Sequence, residues 1–141
     1  MLRTLRTTTA LVLLCTSVPA QMTQFCRPGI DAGVMACPCG NPPAGGGFGC
    51  NNFGAGPAQS GTLDASGSPA ADSVILNATG LNNVALTIFI QSRSPTSPAG
   101  LVYGAGVRCV ASGAGTFFKR MYTGSSSAGM ISRPGINDPS I

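Results

Sequence analysis

Hydrophobic residues in the second half of the chain come in short runs separated by residues that favour turns. The runs are rich in β-branched and aromatic side chains, and no window repeats with the period of an amphipathic helix. Six short strands at this spacing are typical of an antiparallel sandwich or partial barrel. The pattern therefore predicts a small all-β domain over residues 61–141, either sandwich-like or a partial barrel. The predicted strands cover residues 62–65, 73–78, 84–91, 101–103, 107–110 and 116–122.

The strongest strand signal is the sequence VALTIFIQ at residues 84–91. Its apolar run is nearly continuous, which indicates burial on both faces. The turn sequence GLNN at residues 80–83 joins it to the preceding strand, so we expect these two strands to form a β-hairpin. Two prolines make residues 92–100 a loop, because proline is excluded from central strands. Residues 123–141 carry no strand pattern.

Residues 1–20 have the three parts of a secretory signal peptide. Arg3 and Arg6 give a positive start, a short apolar stretch follows, and the Val-Pro-Ala sequence ending at Ala20 resembles a cleavage site. The apolar stretch is far shorter than the about 20 residues that a membrane-spanning helix needs. An N-terminus that stays in the cytosol, or a lipoprotein modified at Cys15, is the alternative. We expect cleavage near Ala20 and a mature protein that is secreted, periplasmic or at the cell surface.

Residues 21–60 form a loop-rich segment of Cys, Gly and Pro, and four of its cysteines are spaced as C-x10-C-x-C-x10-C. In an oxidising compartment this spacing indicates a disulfide framework. Cys37 and Cys39 flank a single proline, which is poor geometry for a bond to each other, so we expect each to pair elsewhere. Sequence alone leaves the pairing open. The candidate cysteines of the mature chain are Cys26, Cys37, Cys39, Cys50 and Cys109.

Five cysteines cannot all pair within one chain. One of them is free, bonds to another chain or awaits a partner that this chain lacks. A zinc site is the competing interpretation, and it is disfavoured because the chain has no His and its close pair is C-x-C.

Charge is scarce along the chain, since only 9% of the residues are charged and the formal net charge is +4. With 20 Gly and 11 Pro, this composition is typical of a loop-rich β protein with an uncharged polar surface. The cations are scattered and form no basic stripe, which argues against a nucleic-acid partner. Because the chain has no His, serine and cysteine triads are excluded. We predict no cofactor.

The acidic residues are Asp31, Asp64, Asp72 and Asp138, and their spacing indicates no carboxylate pair. We interpret Asp64 and Asp72 as hydrogen-bonding groups at turns and strand ends. The alternative is a calcium site built from these two side chains and loop carbonyls.

Phe117, Phe118 and Tyr122 are candidates for a ligand surface on which sugar rings would stack. Phe117 and Phe118 are adjacent, so one should face inward and the other outward on a strand. The alternative interpretation is one ring packed in the core and one ordinary exposed ring.

Several stretches resemble a family of uncharacterised secreted bacterial proteins rich in Cys and Gly. The resemblance covers roughly residues 25–141 and implies an exported β-rich domain, and it identifies no catalytic residues. Family members run on past the DPSI sequence with further strands, so we expect a C-terminally shortened member. The matching stretches are FCRPG, CPCGNPPAGGGFGCNNFG, LDASGSP, DSVIL and GVRC.

These observations favour an exported, non-catalytic protein with a structural or adhesive role. Its expected partners are extracellular polysaccharide or other cell-surface components. A carbohydrate-binding module is the first alternative, resting on the strand pattern and the aromatic residues. A fragment of a secreted hydrolase that uses paired aspartates is the second.

Overall fold

The computed structural model describes residues 22–52, 60–96, 99–113 and 115–141. The signal peptide expected at residues 1–20 lies outside the described residues. The described chain is all-β and antiparallel, as the sequence predicts, with one short 3-10 turn at Pro69–Ala71. The strands are β1 (Thr62–Ser66), β2 (Ile75–Thr79), β3 (Leu86–Ser92), β4 (Leu101–Tyr103), β5 (Gly106–Arg108), β6 (Phe118–Ser125) and β7 (Ile131–Arg133).

The strands form three small sheets rather than a closed barrel. One sheet has the order β1-β2-β7, and the pairs β3-β6 and β4-β5 form the other two. Every pairing between these strands is antiparallel. Two of the four pairings, β2 with β7 and β3 with β6, join distant parts of the chain, because the intervening chain must fold back before these strands can meet.

The expected hairpin between residues 73–78 and 84–91 is wrong, since β2 pairs with β1 and β7 while β3 pairs with β6. The reason lies in the connection between the two strands. The backbone N–H of Leu81 donates to the carbonyl of Gly129, and that of Ala85 donates to the hydroxyl of Ser126. Because these groups bond to the chain that follows β6, the connection does not close a tight turn.

The prediction that residues 123–141 contain no strand is also wrong. β6 continues to Ser125, and β7 at Ile131–Arg133 pairs with β2 through contacts such as Ala78 opposite Ile131. The end of β6 carries Thr, Gly and Ser, and β7 has only three residues. Such a short strand is specified by its partner rather than by its own sequence.

The hydrophobic core joins the three-stranded sheet to the β3-β6 ribbon. Its buried members are Ala78, Phe89, Tyr122 and Ile131, one from each of β2, β3, β6 and β7. The rings of Phe89 and Tyr122 meet edge to face with centroids 6.5 Å apart. Such aromatic contacts add to the free energy gained by burying the rings.

Burial of β3 on both faces is likewise wrong. Leu86 is 72% exposed, whereas Phe89 is only 5% exposed. Exposure changes along the strand, since Leu86 and Gln91 near its ends are exposed, whereas Ile88 and Ile90 on either side of Phe89 are half-buried. The register shifts after Phe89, where β6 accommodates the extra residue Met121 as a bulge.

Candidate functional site

Two disulfides tie the N-terminal segment together and to the sheets. Cys37 bonds to Cys50, and Cys26 bonds to Cys109, with Cα atoms 5.7 and 6.1 Å apart respectively. The expectation that Cys39 pairs is not met, because it is exposed and forms no disulfide with another described cysteine. Cys37 reaches Cys50 instead, while Cys39 lies in the solvent-facing turn that follows it.

Asn41 holds this segment against the β4-β5 turn. Its side chain is only 1% exposed, and its amide donates to the carbonyls of Asn51 and Ala105 over 2.8 and 2.9 Å. Its carbonyl oxygen accepts a hydrogen bond from the backbone N–H of Cys39. Sequence reasoning missed this residue, although Asn between Gly40 and a proline pair is a signal for a side chain that bonds to its own turn.

An open, mostly apolar groove of about 650 Å³ lies between the N-terminal segment and β5. Its walls include Phe25, Phe48, Leu63, Ile90 and Val107. Three of these, Phe25, Phe48 and Leu63, remain between 37% and 60% exposed. The volume is within the range of about 300–1,000 Å³ typical of ligand sites. Sequence reasoning could not place the groove, because its walls come from distant parts of the chain.

The predicted ligand-surface aromatics separate into two environments. Phe117 and Phe118 are 42% and 39% exposed, so both neighbours reach the surface instead of one facing inward. Tyr122 lies in the core at 6% exposure, not on the ligand surface, because β6 turns this position toward Phe89. Its hydroxyl donates to the carbonyl of Pro139 over 2.7 Å.

Phe117 and Phe118 each have a guanidinium over the ring. Arg93 lies 5.1 Å from the centroid of Phe117, and Arg108 lies 5.4 Å from that of Phe118. Arg108 is also 5.5 Å from the centroid of Tyr103, which is 63% exposed. The sequence singled out neither the two arginines nor Tyr103, because strand pairing and tertiary contacts bring them together.

The acidic residues serve local roles. Asp31 accepts hydrogen bonds from the backbone N–H and the guanidinium of Arg27, and the side-chain hydrogen bond from Arg27 is the main cause that lowers the pKa of Asp31. Asp138 accepts from the backbone N–H of Gly135 over 2.7 Å and lies 3.4 Å from Nε of Arg133. The side chains of both residues therefore stabilise the loops in which they lie.

Asp64 and Asp72 lie in different local settings. Asp64 accepts a hydrogen bond from the backbone N–H of Ala65 within β1, while Asp72 ends the 3-10 turn with a left-handed φ of 50°. Across the described ranges, no group of three His, Cys, Asp or Glu side chains is placed to hold a metal ion.

None of the helical turns within the described residues is long and apolar enough to cross a membrane. Comparisons with protein-family models, curated proteins and solved structures found no match to this chain. The resemblance to secreted Cys/Gly-rich proteins therefore stays a prediction.

Proposed function

We propose that the protein acts outside the cytoplasm as a non-catalytic protein with a structural or adhesive role. The observation that carries the proposal is the pair of disulfides, one of which closes a separation of 83 residues. Such bonds form and persist in oxidising compartments. The signal-peptide pattern of residues 1–20 supports the same compartment.

The chemistry of the side chains supports a non-catalytic role. The chain has no His and no Glu, so its carboxylate side chains are limited to four aspartates. Two of these, Asp31 and Asp138, lie beside arginines, and Asp64 bonds to its neighbouring backbone. A hydrolase that uses a carboxylate pair needs two such groups facing one substrate.

Export and maturation can be tested by intact mass. The full chain is expressed in a bacterial host, treated with an alkylating reagent and weighed with and without reduction. We expect a chain that starts at Gln21, with two disulfides and one alkylated thiol at Cys39. An uncleaved chain that stays in the cytosol would contradict the proposed compartment.

The adhesive role is tested by retention of the oxidised protein on insoluble bacterial envelope material. We expect retention of the oxidised protein and its loss after reduction, because the disulfides position the surface loops. A protein that passes through the envelope material unretained in both states would overturn the adhesive role.

A carbohydrate-binding module is the second candidate, favoured by the surface rings of Phe117 and Phe118. Exposed aromatic faces stack on the apolar faces of sugars. A panel of immobilised neutral and charged glycans tests this function, and the absence of retention on every glycan would exclude it.

A further inference from the structure

The unpaired positive charges of the described chain lie at one end of the β3-β6 ribbon. Arg27 and Arg133 lie beside Asp31 and Asp138 and form the ion pairs of the described residues. The remaining Lys and Arg side chains of the described ranges make no ion pair there. They are Arg93, Arg108, Lys119 and Arg120.

The register of β3 and β6 explains why these cations are neighbours. Gln91 pairs with Lys119, and Ile90 pairs with Arg120, so both cations lie near the end of β3. Arg93 follows directly after β3. Arg108, which is distant in sequence, joins this end of the ribbon by stacking on Phe118. Lys119 and Arg120 are adjacent in β6, so their side chains lie on opposite faces of the strand.

Three exposed rings lie among these charges. We name the five residues with ring–guanidinium contacts the cation–ring cluster: Arg93, Tyr103, Arg108, Phe117 and Phe118. The N–H groups of a guanidinium point outward in its own plane, so they can still bind a carboxylate when the flat face of the group is stacked on a ring. The rings also restrict the arginine rotamers, which reduces the entropy lost on binding.

Arg108 is the best-fixed cation of the cluster. Its Nη2 donates to the hydroxyl of Ser112 over 2.6 Å, and its guanidinium contacts both Tyr103 and Phe118. Its Nε is shielded from solvent and has no hydrogen-bond partner among the described residues. Arg108 also lines the apolar groove, so the cluster and the groove share a border.

We infer that the cation–ring cluster binds an acidic polysaccharide, with sugar carboxylates on Arg93 and Arg108 and sugar faces on the exposed rings. Charge complementarity carries the inference, because no carboxylate of the described chain neutralises these cations. A polymer of uronic acids repeats a flat apolar face beside each carboxylate, which matches guanidinium groups set beside rings. The inference rests on the proposed role outside the cytoplasm, where such polymers occur.

Binding to polygalacturonate tests the inference, with fully methyl-esterified polygalacturonate as the matched uncharged polymer. Titration of the oxidised chain is expected to show binding to the acid form that weakens as ionic strength rises. Arg108→Ala and Phe118→Ala should each weaken this binding on the order of tenfold. Arg93→Gln and Lys119→Gln change exposed residues and should weaken it without affecting the fold.

Val84→Ala is the control, because Val84 is 77% exposed and lies two residues before β3, at the end of the strand opposite Arg93. It should bind like the wild type, and each variant is checked for its two disulfides by mass. Equal binding to the methyl ester, unchanged affinity in all four variants (Arg108→Ala, Phe118→Ala, Arg93→Gln and Lys119→Gln) or no binding at low ionic strength would overturn the inference. Equal affinity for duplex DNA would also overturn it, because the surface would then recognise any polyanion. Retention on envelope material in any of these cases would leave the adhesive role standing.

Discussion

Gly67 shows how one residue without a side chain closes the connection between β1 and β2. It has a φ of +85°, and a Cβ atom added there would collide with the carbonyl oxygen of Ser73. The next residue, Ser68, is buried and exchanges hydrogen bonds with Ser73. The close approach of these backbone segments therefore requires glycine.

Gly67→Ala should destabilise the protein more than Gly104→Ala. Gly104 also has a positive φ, of +59°, but a Cβ atom there would meet nothing within 4 Å. Left-handed backbone alone costs about 1–2 kcal/mol for alanine. The collision at Gly67 should add about 1–3 kcal/mol. Denaturant unfolding of both variants measures the difference, and equal losses would show that the backbone near Ser73 relaxes freely.

Tyr122 should make stability sensitive to alkaline pH. Burial is the main cause that raises the pKa of its hydroxyl, and the carboxylates of Asp138 and Asp72 raise it further. A raised pKa means that the folded state holds the proton more tightly than the unfolded state. This stabilisation is complete below the unfolded pKa of about 10 and is lost as pH rises through the folded pKa.

Tyr122→Phe should remove that alkaline loss and cost about 1 kcal/mol at neutral pH, because the hydrogen bond to Pro139 disappears. Tyr103→Phe is the control, since Tyr103 is exposed and should leave the alkaline loss in place. Denaturant midpoints are measured from pH 8 to pH 11, a range that includes the ordinary tyrosine pKa of about 10. They should fall at high pH in the wild type and in Tyr103→Phe but not in Tyr122→Phe. Identical pH profiles for wild type and Tyr122→Phe would contradict the prediction.

At the scale of elements, the sequence predicts where strands lie better than which strands pair. The β-branched run at residues 84–91 covers all of β3 except Ser92, because its side chains favour extended backbone whichever strand it pairs with. Pairing with β6 depends on chain that folds back later, and no local pattern encodes it. β7 is missed for the same reason.

The candidate site also has parts that the sequence predicts and parts that depend on the fold. Cysteine spacing predicts a disulfide framework, but the bond from Cys26 to Cys109 needs the fold to bring distant residues together. Phe117 and Phe118 are visible in the sequence as surface candidates. Arg93 and Arg108 are not, because they become neighbours of those rings only through strand register and stacking.

Asn41→Ala should loosen the N-terminal segment from the β4-β5 turn. The change leaves the carbonyls of Asn51 and Ala105 without the donor that Asn41 provides, at a cost of about 1–3 kcal/mol. Asn137→Ala changes an exposed residue and should stay within about 0.5 kcal/mol of wild type. Hydrogen exchange of the segment should increase only in Asn41→Ala. Equal stability of the two variants would show that water replaces the lost donor.

At the scale of the whole molecule, covalent bonds supplement a small core. The buried hydrophobic side chains of the described residues are Cys37, Ala78, Phe89, Tyr122 and Ile131. Domains with so little buried apolar surface depend on cross-links for stability. The two disulfides differ greatly in the length of chain that they close, which is 83 residues in one and 13 in the other.

Removal of the long-range disulfide should therefore be the more damaging change. In a Cys39→Ser background, Cys26→Ala with Cys109→Ala should cost about 4.5 kcal/mol from loop entropy. Cys37→Ala with Cys50→Ala should cost about 3 kcal/mol on the same basis. Denaturant unfolding of the two double variants measures the order. The reverse order would mean that the bond between Cys37 and Cys50 stabilises the protein by more than the entropy of its short loop accounts for.

The bond between Cys26 and Cys109 also makes the order of export matter. A chain exported from its N-terminus brings Cys26, Cys37, Cys39 and Cys50 into the oxidising compartment before Cys109. During export, the thiol of Cys26 therefore meets three competitors before its native partner arrives. Correct pairing requires either that Cys26 stays reduced until export is nearly complete or that an early bond is exchanged later. The presence of a disulfide isomerase in the host should accordingly decide how much native protein accumulates.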